Sequence, residues 1–223
     1  MRATAVLLDL DGTLLDTAPD LIAAANATLM AADIPSRSAG ELTPCISGGA
    51  AAMLRCAEAD ILARGLDPDA LLAQMLDRYA ADVARHSRFY DGMERVLDTL
   101  DRHGIPWGIV TNKHSRFTQP LLSSFSWNQA PACVISGDTT PERKPHPLPL
   151  LEACRRLAIT PANSVYVGDA KRDVEAGQRA GMATLVALYG YLAADERPEE
   201  WGADGLLGEP ADLLTWLLDE AGS

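Results

Sequence analysis

Basic residues are scarce in this chain. Nineteen Lys and Arg face 31 Asp and Glu over 223 residues, leaving a formal charge of −12. So acidic a chain is a poor general binder of nucleic acid or of anionic membranes, since both reward basic patches. An anionic small substrate stays open, because screening over ~8 Å lets a local site outweigh the global field. Cysteine is scarce too. Cys45, Cys56, Cys133 and Cys154 form no C-x-x-C pair and show no zinc spacing with histidine. This argues against a disulfide scaffold and points to reduced thiols in a cytoplasmic protein. Long apolar runs are missing. The longest, around Gly181 to Ala194, contains Thr184 and is too short to span a bilayer. The residues before Asp9 hold no signal-peptide core. Repeats and low-complexity tracts are absent, and 48% hydrophobic with 22% charged residues is ordinary globular composition. The length suits one large domain or two small ones.

What is present is a series of short apolar runs that each end in polar or glycine-containing turns. Ala5 to Leu8 ends at Asp9, Trp107 to Val110 at Thr111-Asn112-Lys113, and Ala132 to Ile135 at Ser136-Gly137-Asp138. Ser164 to Val167 ends at Gly168-Asp169, and Ala183 to Leu188 at Tyr189-Gly190-Tyr191. Such runs read as buried strands. Helical spacing lies between them, as in Met93-Val96-Leu97-Leu100, closed by His103-Gly104. Leu148 to Leu157, Val174 to Ala180 and the Leu213 to Leu217 stretch suggest further helices. The alternation predicts an α/β fold, a Rossmann-like doubly wound parallel sheet, with ligands outside the carboxyl ends of the strands. Asp9, Thr111 and Asp169 all fall at such ends.

Residues 17–86 break the alternation. Thr17-x-x-Asp20 resembles a helix N-cap signal, followed by Leu21, Ile22, Ala25 and Leu29 on one face. Ala50 to Ala63 and Asp69 to Ala84 read as two further helices. The expected organisation is a core of 1–16 and 87–223 with a helical insertion, 17–86, after the first strand.

Asp9-Leu10-Asp11-Gly12-Thr13 carries the sharpest chemical signal. Carboxylates two apart on an extended chain project to one side. At ~4 Å and an effective dielectric of ~20 they repel by about 4 kcal/mol. A cation or a proton is needed to hold them together, although a D-G pair alone also suits a plain turn. Gly168-Asp169-Ala170-Lys171-Arg172-Asp173 offers two more acids. Asp169 could share a divalent ion with Asp9, whereas Asp173 falls at a helix start, where it also complements the dipole. Thr111-Asn112 supplies a hydroxyl and an amide suited to phosphate oxygens, or to capping a turn. Lys144 precedes Pro145, which holds it extended.

In this order, D-x-D-G-T, T-N, K-P and G-D-x-x-x-D resemble the haloacid dehalogenase superfamily of phosphohydrolases, and the insertion resembles its type-1 cap. The D-x-D form resembles its phosphatases. The resemblance implies Asp9 as nucleophile and Asp11 as general acid and base, its acidic neighbours helping it hold a proton. It implies Mg²⁺ on an Asp9 side-chain oxygen, the Asp11 backbone carbonyl and Asp169, with Asp173 orienting bound waters. Thr111, Asn112 and Lys144 would bind the phosphoryl group. Four aspartates against Mg²⁺ and Lys144 leave −1, which a proton on Asp11 cancels. Position 170 is Ala where relatives often carry Ser or Asp, so no second metal carboxylate is implied there.

The cap would choose the leaving group. Ile46-Ser47-Gly48-Gly49-Ala50 precedes an expected helix whose amides could take a carboxylate, or is simply a flexible helix start. Ser47, Gly48, Gly49 and Arg55 are the candidates there. His86, Arg88, His114 and Arg116 lie near junctions or strand ends. Asp9 to Pro19, Thr111 to Lys113, Lys144 to Pro147 and Gly168 to Asp173 look like phosphoglycolate phosphatases. Ile46 to Ala50, Val110 to Lys113 with Arg116-Phe117, Tyr189-Gly190-Tyr191 and Trp201 to Asp204 are similar to N-acetylmuramic acid 6-phosphate phosphatases. Both substrates are small carboxylated phosphate monoesters. A phosphomutase or a decayed phosphate-binding protein are the competing readings. A phosphonate hydrolase would need a cap lysine, and none occurs between Thr17 and His86.

Overall fold

Every residue of β1 (Ala5–Leu8) is buried, as in a strand covered on both faces. The chain continues through β2 (Leu15–Asp16), α1 (Ala18–Ala31), α2 (Ala39–Leu42), α3 (Ala50–Arg55), α4 (Glu58–Ala63) and α5 (Pro68–Ala81). Next come β3 (Arg88–Phe89), α6 (Met93–Arg102), β4 (Trp107–Val110), α7 (Ser115–Ser123) and β5 (Val134–Ile135). The last elements are α8 (Leu148–Leu157), β6 (Ser164–Gly168), α9 (Lys171–Ala180), β7 (Ala183–Ala187), β8 (Gly205–Leu207) and α10 (Asp212–Leu218). This computed structural model describes residues 3–218, so positions 1–2 and 219–223 of the expected core lie outside the described residues.

Six strands form one parallel sheet in the order β5-β4-β1-β6-β7-β8. β1 lies at its centre, with Leu8 opposite Ile109 on one side and Val167 on the other. Alternate side chains enter opposite layers. Leu7 joins Leu150, Ala153 and Ala176 under α8 and α9. Val6 and Leu8 join Val96, Leu100 and Leu213 under α6 and α10. Each such fully buried aliphatic side chain contributes about 1.5–3 kcal/mol. Helix ends follow local chemistry, as where α9 stops at Gly181 with φ 77°.

Helices α1–α5 leave and return through a second, two-stranded ribbon. β2 and β3 pair antiparallel, Leu15 with Phe89 and Asp16 with Arg88, and Arg88 Nη2 lies 2.9 Å from Asp16 Oδ2. Neither strand shows in the sequence, because two residues carry no period. β8 has only three residues and lies at the sheet edge, with Leu206 exposed. The strand expected over 132–135 shrinks to Val134–Ile135.

Two local expectations are corrected. Thr17 stands at the N-cap of α1 but makes no side-chain capping bond. Asp20 is buried and instead accepts from the His86 and Ser87 N–H groups and the Ser87 hydroxyl at 2.6–3.0 Å. It thereby ties the first turn of α1 to the segment leading back into the core. The helix expected over 50–63 breaks at Cys56-Ala57 into α3 and α4. Arg37 Nε takes the Cys56 carbonyl there at 3.2 Å.

Candidate active site

The carboxyl ends of β1, β4 and β6 converge on three buried acids. One carboxylate oxygen each from Asp9, Asp169 and Asp173 lie within 4.8 Å of one another. Lys144 Nζ sits among them, 2.9 Å from Asp9 Oδ1 and 2.8 Å from Asp173 Oδ1, and is wholly buried. It also donates to the Val110 carbonyl and the Tyr166 hydroxyl. Burial pushes the Asp9 carboxyl above its ordinary range, and Lys144 only partly opposes this. Asp169 is pushed up to about 8, first by burial and then by Asp173 and Asp9.

This donor set fits a hard divalent cation. Asp169 Oδ1 is buried without a hydrogen-bond partner, although buried polar atoms are normally satisfied. Its Oδ2 accepts from the Tyr191 N–H at 2.8 Å. Oxygen donors suit Mg²⁺. Asp173 is already engaged, by Lys144 through Oδ1 and by the Ala170 N–H through Oδ2 at 3.0 Å.

Glycine makes the cluster possible. Gly12 has φ +82°, and a β-carbon there would overlap Asp169 Oδ2. The turn also carries Asp11 away from the buried acids. Asp11 is not among the three acids that meet within 4.8 Å. Lys113 Nζ lies 2.7 Å from its Oδ1, and the Thr17 hydroxyl donates to the same oxygen at 2.5 Å. Burial opposes the charge on Lys113, but Asp11 and Tyr79 outweigh it and hold the ammonium above its usual range.

Asp9 and Asp11 open onto a cavity of about 510 Å³ between the sheet and helices α1, α3 and α5. Thr111, Lys113, His114, Arg143 and Arg172 line it from the sheet side, and Ser47, Gly48, Gly49, Leu72 and Tyr79 from the helical side. Thr111 is buried at the cavity floor. Asn112 also lines the cavity, but its side-chain amide is partly occupied. Nδ2 donates to the Lys144 carbonyl at 2.9 Å, and Oδ1 accepts the Lys144 N–H at 3.0 Å. These two bonds brace Lys144 and use one of the two Nδ2 hydrogens. Lys144 itself lies beneath the lining residues.

Among the cap candidates, Ser47, Gly48 and Gly49 line the cavity but Arg55 does not. Arg55 stands in the last turn of α3 and is exposed, whereas Ala50, Ala51 and Met53 face inward. Arg88 is held in the ribbon by Asp16. Arg116 lies over the Phe117 ring, off the cavity.

Sequence reasoning missed four residues. Lys113 and Arg172 stand inside the quoted motifs, where nothing local distinguished them from surface cations. Arg143 adjoins Lys144, and its Nη2 lies 2.8 Å from His114 Nε2. Tyr191 ends the turn after β7, and its hydroxyl accepts from the Thr17 and Ala18 N–H groups at 2.6 and 2.8 Å.

Comparison with known proteins agrees with this geometry. Residues 6–187 match the family model described as haloacid dehalogenase-like hydrolase. The chain is 44% identical over 209 residues to a phosphoglycolate phosphatase of Xanthomonas campestris pv. campestris, covering 94% of each chain. It is 41% identical over 218 residues to an N-acetylmuramic acid 6-phosphate phosphatase of Pseudomonas putida, covering 96% of this chain and 95% of the other. It superposes on a crystal structure described as a predicted phosphoglycolate phosphatase from Haemophilus somnus. The TM-score is 0.86 at 26% identity, over 97% of this chain and 99% of that one. Family match, sheet order and clustered strand-end acids together establish that the chain belongs to the haloacid dehalogenase-like hydrolases.

Proposed function

We propose that this protein is a Mg²⁺-dependent phosphatase that hydrolyses a small carboxylated phosphate monoester through an aspartyl-phosphate on Asp9. The observation that carries the reading is the buried Asp9, Asp169 and Asp173 cluster, threaded by Lys144 and reaching a substrate-sized cavity through Asp9. Residues 17–86 act as a cap over a core formed by the rest of the chain, and free cysteines suit a cytoplasmic enzyme.

The side chains of Asp9 and Asp169 and the backbone carbonyl of Asp11 would hold the metal. When bound, Mg²⁺ draws phosphoryl charge away from the attacking carboxylate. Both hydrogen-bond donors to Asp9, the Leu10 N–H and Lys144, sit on Oδ1. That fixes the carboxylate and leaves Oδ2 for attack on phosphorus, which splits one hard step into two. Both partners of Asp11 also sit on one oxygen. Its Oδ2 gives a proton to the leaving oxygen and later takes one from the hydrolytic water. Thr111 holds the phosphoryl oxygens, Lys144 positions Asp9, and Asp173 would orient water on the metal. Adding Lys113 and Arg172 to the local charges turns the net −1 into +1, or +2 while Asp11 carries its proton, which draws a phosphate dianion inward.

The leading substrate is 2-phosphoglycolate, as the name of the Xanthomonas relative suggests. One observation favours N-acetylmuramic acid 6-phosphate, the substrate in the name of the Pseudomonas relative. About 510 Å³, walled partly by Leu21, Leu72, Leu76 and Phe117, falls within the ~300–1,000 Å³ of ordinary ligand pockets. A two-carbon acid leaves most of it empty. The test is a panel of phosphate monoesters ranked by kcat/KM, with EDTA as control. Turnover that survives EDTA, or Asp9→Asn protein that still turns over, would reject the mechanism.

A further inference from the structure

Arg172 stands in the first turn of α9, between Asp169 and Asp173 in sequence, and lines the cavity. Nη1 donates to the Ser47 carbonyl, reaching from the sheet side to the helical side. Nε is buried and has no partner. Among the described residues no carboxylate makes an ion pair with this guanidinium. Burial works against its charge, but the combined field of Asp173, Asp9 and Asp169 keeps it fully protonated. The other buried cations at the site are committed. Lys113 is held by Asp11, and Lys144 by Asp9 and Asp173. A guanidinium has five donors in a rigid fork suited to a carboxylate, and this one has donors to spare beside a cavity built for an anion.

Position selects which anion. The phosphoryl group sits on Asp9, with Thr111 on the β4 side. In-line displacement sends the leaving group away from Asp9, toward the helical side. Arg172 reaches that side at Ser47. We infer that Arg172 is a specificity-determining residue whose guanidinium binds the carboxylate of the leaving alcohol, held in place by the Ser47 carbonyl. The inference rests on the phosphatase reading above and assigns the group that recognises its carboxylated substrate.

The test compares Arg172→Ala and Arg172→Lys with the unaltered enzyme on three esters. These are 2-phosphoglycolate, N-acetylmuramic acid 6-phosphate and glucose 6-phosphate, which lacks a carboxylate. For the carboxylated ester the enzyme prefers, Arg172→Ala lowers kcat/KM by roughly tenfold to a hundredfold more than for glucose 6-phosphate, mainly through KM. Arg172→Lys restores part of the preference, since it keeps the charge and loses the fork. Titration calorimetry in an Asp9→Asn background, where the ester survives, shows the same selective loss of affinity. Equal losses on all three esters, or equal calorimetric losses, overturn the inference and leave the phosphatase reading standing. An unaltered enzyme with no EDTA-sensitive turnover of any ester overturns both.

Discussion

Lys113 Nζ and Asp11 Oδ1 lie 2.7 Å apart, with the Tyr79 ring centroid 4.8 Å from the same ammonium. The pair joins the β4 loop to the turn after β1. Its carboxylate keeps 21% exposure while the lysine keeps 7%. Replacing Lys113 with Met preserves the stem and removes the countercharge. The expected loss of stability is about 1.5–3 kcal/mol, below that of a wholly buried pair because water still reaches Asp11. Urea unfolding measures it, and a shift within error would show that the pair contributes nothing.

Asp20 holds three donors of His86 and Ser87 while almost wholly buried. Asp20→Ala leaves these donors without their charged acceptor. A loss of about 1.5–3 kcal/mol follows. Because the bonds close the loop that contains residues 17–86, limited proteolysis near residue 86 should quicken as well. Unchanged cleavage would deny Asp20 a role in closing that loop.

Gly12 is required twice over, by its φ of +82° and by the closeness of Asp169. Gly12→Ala therefore displaces a proposed metal ligand. The Mg²⁺ concentration giving half-maximal activity should rise roughly 10–100-fold, the scale on which displaced metal-site supports act. An unchanged Mg²⁺ dependence would argue against Asp169 as ligand.

Asp169 makes stability depend on pH in the metal-free protein. Its carboxyl titrates at about 8 when folded, against 3.8 ordinarily. Between these values the folded chain keeps a proton that the unfolded chain has released. Stability is therefore highest below about pH 4 as far as this group is concerned, and falls as pH rises toward about 8. Mg²⁺ needs the deprotonated carboxylate, so its stabilising effect grows over the same range. Thermal midpoints in EDTA and in Mg²⁺, taken across that window, read both trends. A midpoint gain from Mg²⁺ that is independent of pH would contradict the assignment.

The parallel sheet was legible because each long strand is a continuous apolar run, and Ala5–Leu8 and Ser164–Gly168 are buried throughout. Asp9, Thr111 and Asp169 were legible for the same reason, as polar residues that end such runs. The ribbon of β2 and β3 was not, since two-residue strands have no period. Nor was the bond between the Asn112 amide and the Lys144 backbone, since the two lie 32 residues apart. Which side of α3 meets the cavity was not legible either, and Ala50, Ala51 and Met53 line it where Arg55 does not.

What the linear order of residues determined on its own was the periodicity: buried strands, amphipathic helices between them, and acids at the strand ends. Those depend on near neighbours and on the removal of apolar surface from water, and both are written locally. The tertiary structure alone decided which charges meet. Lys113 came to rest on Asp11, Arg172 on the Ser47 carbonyl and Asp20 on the return segment. Such pairings join residues tens to more than a hundred positions apart, and their strength depends on burial and distance that only the folded chain sets.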